Sequence, residues 1–544
     1  MNKAPVIGID LGNSYTRAAV FQNDKLEIIP NDKGQKATPT YISFTPTEEL
    51  IGEDALNQIN NNLKNTFYDF KKLICRNYNN NEFQEDIQNL PFNIIKDPLY
   101  DTPLFQIYSG KRKGNFSPEE LYSMVLKKIK QNASNYFGKE VKDVIITVPS
   151  HFNLIQRKAI DDAGIIAGLK ILRILTDPVS ASMLYTYKNG LSSKGEKNIL
   201  IFDLGGGSFN VAVTSLEDGL CEIRANEGIL NLGGENFNNR LMEYCAKEYE
   251  KKTSIDILSC PTALAKLRLL CEEAKIDLSS NNQTFIEIYD ILSGEKVKIT
   301  ITREIFENLC KDLFVKCIKI LEKVLEEAKM DKNKIEDIYL LGGSTHIPKI
   351  RHMIKVFFNG KEPKKIDHPE EAVVFGAAIQ AAVISNCKYE TIETLVLLDT
   401  ICFSLGIEVE GGIMCPMIPK NNTTPTKKTS IFTLNADNQT SVLIRVYEGE
   451  NKMAKDNEFI GELVFDGIKS MKKGEQEIEI TFDLDVNLSL NVVAVEKSTG
   501  KDAKIHFNYK KGKYNKFKFN ENKVTLIQKE EEKEKKGNKI KSNK

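Results

Sequence analysis

Apolar positions run in unbroken blocks that end on an aspartate and then glycine, and this happens twice. Val6-Ile7-Gly8-Ile9 leads into Asp10-Leu11-Gly12-Asn13-Ser14. About 190 residues later Ile199-Leu200-Ile201-Phe202 leads into Asp203-Leu204-Gly205-Gly206-Gly207-Ser208. Unbroken runs of this length predict buried strands. A third block, Ile338 to Leu341, ends on Gly342-Gly343-Ser344-Thr345, and Ile347-Pro348 then opens a helix, proline being favoured just inside a helix start. The pattern also predicts a strand over Asp143–Pro149 and an Ala-rich helix over Gln156–Leu169. It predicts one long or two close amphipathic helices over Arg303–Lys329, and a small-residue helix over Ala372–Ile384. Alternating strands and helices from residue 4 to about 386 make this part an α/β domain.

The period then shortens. Alternating segments at Phe403–Glu408, Ser430–Leu434, Ser441–Tyr447, Gly461–Phe465, Glu477–Asp483 and Leu490–Glu496 are split by turn signals, which predicts a small antiparallel β-sandwich. Thr391–Thr400, acidic and apolar without helix caps, reads as a linker. The expected division is 1–388, a linker over 389–400, a sandwich over 401–509, and a tail over 510–544. The tail holds 13 Lys against 5 Glu, a charge of +8 that leaves −8 on the rest. It cannot bury a core and is expected to be disordered. It reads first as a solubilising tail, with contact to ribosomal RNA as the sharper alternative.

Composition narrows the function classes. Lys+Arg and Asp+Glu stand at 75 each in 544 residues, so overall charge points to neither a nucleic acid nor a membrane. No apolar run reaches the ~18 residues of a membrane span, and the N-terminus enters a strand at once, which leaves no room for a signal peptide. Ten scattered cysteines without a C-x-x-C pair argue against zinc and for free thiols in a reducing compartment. A cytoplasmic location is expected.

The chemistry lies in the glycine turns. Exposed backbone N–H groups in such a turn form an anion-binding concavity, and an Asp at the strand end can hold Mg²⁺ through water. Two such units facing each other would clamp a nucleotide's phosphates from both sides. No G-x-x-x-x-G-K-[ST] loop is present, so the phosphate site is not of Walker design.

These residues together resemble the heat shock protein 70 family of chaperones. Matching stretches are Asp10-Leu11-Gly12, Asp69 to Arg76, Val148-Pro149, Phe152-Asn153, Gln156-Arg157 and Asp162-Ala163-Gly164. They continue with Ile201 to Gly207, Leu232 to Glu235, Gly342 to Thr345, Glu371-Ala372-Val373, Ser404 to Glu408, Asp437-Asn438-Gln439, Val446 to Glu450 and Lys497 to Lys501. The resemblance covers roughly residues 4–509. It implies an actin-like two-lobed α/β ATPase domain, then an antiparallel β-sandwich that binds peptides, here with no helical lid.

It also implies roles. Asp10 and Asp203 would position Mg²⁺ and the attacking water, Lys71 would stabilise the γ-phosphate in flight, and Asp177 and Ser208 would complete the catalytic group. Gly12, Asn13, Ser14, Tyr15, Gly205, Gly206 and Gly207 would line the phosphates. Gly234, Glu235, Glu272, Lys275, Ser279, Gly342, Gly343, Ser344, His346 and Glu370 would hold ribose and adenine. Ile407, Phe432, Thr433, Val442 and Ile444 would form the peptide site, and Arg157, Arg173, Leu397, Leu398 and Asp399 would couple the domains. ATP/ADP and Mg²⁺ are the implied cofactors, with K⁺ as a candidate second cation. Unfolded polypeptides, J-domain cochaperones and nucleotide exchange factors are the implied partners.

The chain departs from the family where tuning is expected. Ile276 and His346 replace the arginines that sandwich adenine, so ATP should bind more weakly. Asp177 stands for a Glu and is one methylene short, which can cost ~100-fold in rate. Asn13 stands for Thr, Asn210 and Asn238 for acidic residues, and Val179 for a hydroxyl residue. Glu410 and Asn435 alter the arch over the peptide, and Leu488 after Asn487 replaces a turn glycine. The expectation is a slow ATPase that drives a chaperone cycle. The alternative is a nucleotide-holding partner that activates a J-domain protein. A sugar kinase on the same fold would leave the sandwich unexplained.

Overall fold

A computed structural model describes residues 4–88, 90–110, 112–189, 195–289, 296–366 and 368–507. The expected tail, the last two residues of the expected sandwich and the region that the lid expectation concerns lie outside the described residues. The chain divides into two compact units, Met1–Phe152 with Ala163–Thr400, and Asn153–Asp162 with Ile401–Lys544.

The first unit contains two sheets built on one plan. In one, Ile7–Leu11 lies between a parallel neighbour, Asp143–Val148, and an antiparallel one, Tyr15–Gln22. In the other, Lys197–Leu204 lies between parallel Asp337–Leu341 and antiparallel Ser208–Glu217. The two apolar repeats are thus the two central strands. Ile7, Ile9 and Leu11, and Ile199, Leu200 and Phe202, are fully buried, as central strands covered on both faces must be. Each strand ends with its aspartate at the edge of that core.

Two helices join the sheets. Ala372–Ile384 packs on the first, Asp177–Asn189 on the second, and the helices pack on each other. Small residues let them approach: Ser180 Oγ donates to the Val373 carbonyl at 2.7 Å. A methyl on Gly376 would collide with the Ser180 carbonyl, and one on Gly8 with the backbone of Ala377–Ala378. Gly376→Ala is therefore expected to cost about 1–3 kcal/mol through overpacking, read as a lowered melting temperature. Gly343→Ala, whose added methyl meets nothing within 4 Å, should leave it unchanged. The largest apolar cluster packs the second sheet against Gly234–Thr253, Pro261–Ser280 and Lys311–Glu327.

The Arg303–Lys329 segment forms two helices, Arg303–Leu309 and Lys311–Glu327, with a break at Cys310. The strip read as a linker is ordered within the first unit. Glu390–Glu393 makes one helical turn, and Val396–Leu398 adds a parallel edge strand to Leu220–Leu230, pairing Cys221 with Leu397 and Glu222 with Leu398. Its partner lies far away in the chain, so no local pattern could reveal the pairing. All ten cysteines are free thiols. Among the described residues no helix is long and apolar enough to cross a membrane.

The second unit holds two four-stranded antiparallel sheets. One runs Ile413–Ile418, Leu405–Val409, Ser441–Glu448, Glu458–Asp466; the other runs Thr426–Thr433, Glu477–Leu484, Leu490–Glu496, Asp502–Phe507. Leu405, Val446, Phe465, Ile478, Phe482 and Val492 share one cluster. Ile413–Ile418 and Asp502–Phe507 were not expected from the pattern. Pro416 interrupts the first, an edge strand where proline is tolerated. The Asp485–Ser489 turn closes on the Asp485 carboxylate, which accepts from the N–H groups of Asn487 and Ser489 at 2.8 Å each. It places Leu488 at φ +59°, a conformation that normally favours glycine.

Candidate functional site

Four charged side chains converge where the two central strands end. Asp10 and Asp203 come from those ends, and Asp177 opens the helix Asp177–Asn189. Lys71 lies in the short turn Phe70–Leu73, which Asp69 enters at φ +57°. Its side chain is buried, its ammonium donates to the Leu11 carbonyl, and it lies 5.9 Å from the Phe152 ring centroid. Burial, with the Asp177 charge beside it, pushes the Asp10 carboxyl up to about 6 against the opposing pull of Arg17 and Lys71. Burial and Asp177 push Asp203 up to about 8. The Asn210 amide, which donates to Asp203 at 3.1 Å, opposes that rise. The other end of this amide accepts from the Ser150 N–H at 2.9 Å, so Asn210 is a fixed donor aimed at Asp203.

A raised carboxyl value means that the folded protein resists charging these groups. Their cost is absent below the unfolded value near 4 and complete only above the folded one. Between about pH 4 and about pH 8 the thermal stability of nucleotide-free, metal-free protein is therefore expected to fall more, or rise less, with pH than that of its Asp203→Asn variant. Equal pH slopes in a thermal scan would refute this electrostatic picture.

The glycine turns of the two sheets meet. A methyl on Gly207 would lie 2.7 Å from Asn13 Nδ2, and one on Gly206 would collide with Ser14 Oγ. Gly205 N–H donates to the Ser208 carbonyl at 3.0 Å, closing the second turn. That turn is tied to the helix Gly234–Thr253: Gly234 and Glu235 donate backbone N–H groups to the carbonyls of Gly205 and Gly206 at 2.9 and 2.8 Å. Ser344 Oγ donates to the Gly205 carbonyl at 3.0 Å. Gly342, at φ +79°, approaches so closely that a methyl would lie 2.9 Å from Asp203 Oδ1.

Next to the turns lies a polar group. Lys275 Nζ donates to the Gly234 carbonyl at 3.1 Å and pairs with Glu272 at 2.6 Å. Asn238 donates to the same Glu272 oxygen at 2.6 Å. Tyr15 is half-exposed, and burial together with the Glu272 charge raises its hydroxyl value, so it shares this space. Ser279 Oγ points back along its helix to the Lys275 carbonyl.

His346 is exposed at the end of the turn Gly343–His346, and Ile276 is 61% exposed. Glu370 pairs with His368 at 3.7 Å. Arg173 pairs with Asp399 at 3.6 Å, beside the edge strand that carries Leu397 and Leu398. In the second unit Arg157 donates to Cys402 Sγ at 3.7 Å. Ile407 and Ile444 are buried in that unit's core, Phe432 and Val442 pack on it half-buried, and Thr433 is exposed.

Sequence reasoning missed a clamp. Arg268 pairs with Glu235 at 2.8 Å and Asp69 at 3.3 Å, donates to Tyr41 Oη at 3.2 Å, and lies 4.1 Å from the Tyr68 ring centroid. Burial works against Asp69, but Lys72 and Arg268 outweigh it and hold its carboxyl below the usual range. Nothing in an amphipathic helix marks one arginine as buried. Arg17, 4.0 Å from Asp10, was also missed.

The Hsp70 protein family model matches residues 6–544. Heat shock cognate 70 kDa protein 3 of Dictyostelium discoideum is 45% identical over 93% of this chain and 80% of its own length. The heat shock 70 kDa proteins of Trichophyton rubrum and Neurospora crassa are each 44% identical over 94% of this chain, and over 78% and 79% of their own lengths. With a two-lobed α/β fold and a family match along nearly its whole length, this chain belongs to the Hsp70 family.

Proposed function

We propose that this Hsp70 chaperone binds ATP between its two glycine turns and hydrolyses it slowly, at the site formed by Asp10, Lys71, Asp177 and Asp203. The observation that carries the reading is the convergence of these four side chains where the two repeated strands end. Phosphoryl transfer asks mainly for positioning and charge stabilisation. The turn N–H groups and Ser14 hold the phosphates, and the Lys71 ammonium meets negative charge developing on the transferred group. The carboxylates of Asp10, Asp177 and Asp203 orient the attacking water, and one of them accepts its proton as the new P–O bond forms and the bond to the ADP leaving group breaks. Asp10 and Asp203, two carboxylates that resist charging without a cation, suit a hard divalent ion such as Mg²⁺, which when bound would neutralise phosphate charge. Gly234, Glu235, Glu272, Lys275 and Ser344 border the nucleoside. Slowness rests on Asp177, whose short side chain holds its carboxylate close to the helix backbone.

We read residues 1–388 as the ATPase domain, 389–400 as the coupling segment and the two sheets of 401–509 as a peptide-binding β-sandwich. There Phe432 and Val442, half-buried over the core, are the residues able to receive an apolar client side chain, with Ile407 and Ile444 as the floor beneath. Arg157, Arg173 and Asp399 fit a role in transmitting the nucleotide state and in meeting a J-domain. We place the protein in the cytoplasm, with clients, J-domain proteins and exchange factors as partners. Single-turnover ATP hydrolysis, with and without a J-domain, tests the reading. Turnover stimulated by the J-domain supports it, and tight ATP retention without turnover overturns it.

A further inference from the structure

Arg17 lies on the strand Tyr15–Gln22, directly opposite Asp10 in the antiparallel register. Opposed residues project from the same face of a sheet, and so does Tyr15 two positions earlier. The guanidinium is accordingly found between these two candidate site residues. Nη1 lies 4.0 Å from Asp10 Oδ2, and Cζ lies 5.7 Å from the Tyr15 ring centroid. The side chain is 16% exposed.

A guanidinium carries five N–H donors; the Arg17 nitrogens are not among the side-chain atoms sealed from the surface without a partner, so they stay open to a ligand arriving on this face. A separation of 4.0 Å is too long for a hydrogen bond, so Asp10 offers charge without satisfying a donor. Among the described residues the Arg17 guanidinium has no hydrogen-bond partner. The Gly12–Ser14 turn ends three residues before it, so an anion seated in that turn would arrive on this face. Phosphate oxygens match the planar fork of arginine two at a time.

We propose that Arg17 is a binding residue for the nucleotide's polyphosphate, a second cation beside Lys71; the inference rests on the ATP-site reading above. It gives the site an electrostatic preference for phosphorylated over unphosphorylated nucleosides. Lys71 sits deep at the Leu11 carbonyl, and Arg17 reaches the same Asp10 from the neighbouring strand.

Equilibrium binding of ATP and of adenosine to the full chain tests this, with Arg17→Met, which keeps the apolar stem, and Arg17→Lys. Arg17→Met should weaken ATP binding by about tenfold or more and adenosine binding by less than about twofold. Arg17→Lys, charged but without the fork, should fall between. Wild-type ATP affinity in both variants overturns the proposal, and so does an equal loss of ATP and adenosine, which would mean a distorted site. If the wild-type chain binds neither ligand, the ATP-site reading falls and this inference with it. If the wild type binds ATP and Arg17→Met matches it, the inference alone falls.

Discussion

Lys71→Ala is expected to lower single-turnover ATP hydrolysis by about 10²–10³-fold, the range seen when one preorganised charge-stabilising donor is removed. ATP binding should persist. Lys71 is fixed before substrate arrives: its side chain is buried, its ammonium donates to the Leu11 carbonyl, and the Phe152 ring covers it. A charge held this way needs no reorganisation as negative charge develops. The meeting of the two turns does not involve it, because there the side chains of Asn13 and Ser14 lie against Gly207 and Gly206. A quench-flow time course with matched ATP occupancy separates the two effects. A rate within about threefold of wild type would remove Lys71 from the chemistry. A complete loss of bound ATP would make it a binding residue instead.

What could be read from the chain and what could not divides along physical lines. The repeated apolar runs were legible because a strand covered on both faces must be apolar along its whole length, and an Asp-Gly ending is visible in a single line of sequence. Ala372–Ile384 was legible for a related reason, since a helix packed on all sides carries small and apolar residues throughout. The edge strand Val396–Leu398 was not legible: half of Val396 faces outward, and its meaning lies in a partner strand at Leu220–Leu230. Thr426–Thr433 starts earlier than its apolar pattern because Lys427 and Lys428 occupy an exposed sheet edge, where lysine is common. At the site, the glycines and aspartates announced themselves by spacing. Arg17 and Arg268 did not, because a charged residue on a strand or helix reads as solvated until its neighbours are known. Asn210 shows a subtler limit. Its sequence position suggested only a missing charge, whereas its amide is held by Ser150 and donates to Asp203.

Arg268→Ala is expected to open the cleft, accelerating nucleotide release by at least about tenfold and lowering thermal stability by about 3 kcal/mol, the cost of breaking a buried ion pair from one side. The guanidinium is 12% exposed and serves groups from both halves of the first unit. Asp69, Tyr41 and Tyr68 belong to the half built on the first sheet. Glu235 begins the helix Gly234–Thr253 on the second. Ile59 and Leu63 make a small apolar contact with Ala265, which stands three residues before Arg268 on the helix Pro261–Ser280, and Tyr41 packs against the same cluster, so the arginine supplies the polar half of a mixed closure. Removing it leaves Asp69 with Lys72 and Asn13 for company, whereas among the described residues the Glu235 carboxylate keeps only a 3.4 Å hydrogen bond from Asn238. The uncompensated charge is therefore mainly on Glu235, and Glu235→Gln in the Arg268→Ala background should recover part of the lost stability. That recovery is a coupling that independent sites would not show. Stopped-flow release of labelled ADP and a thermal scan of the two single variants and the double variant decide it. Additive losses, or release at the wild-type rate, would mean that Arg268 decorates the cleft rather than closing it.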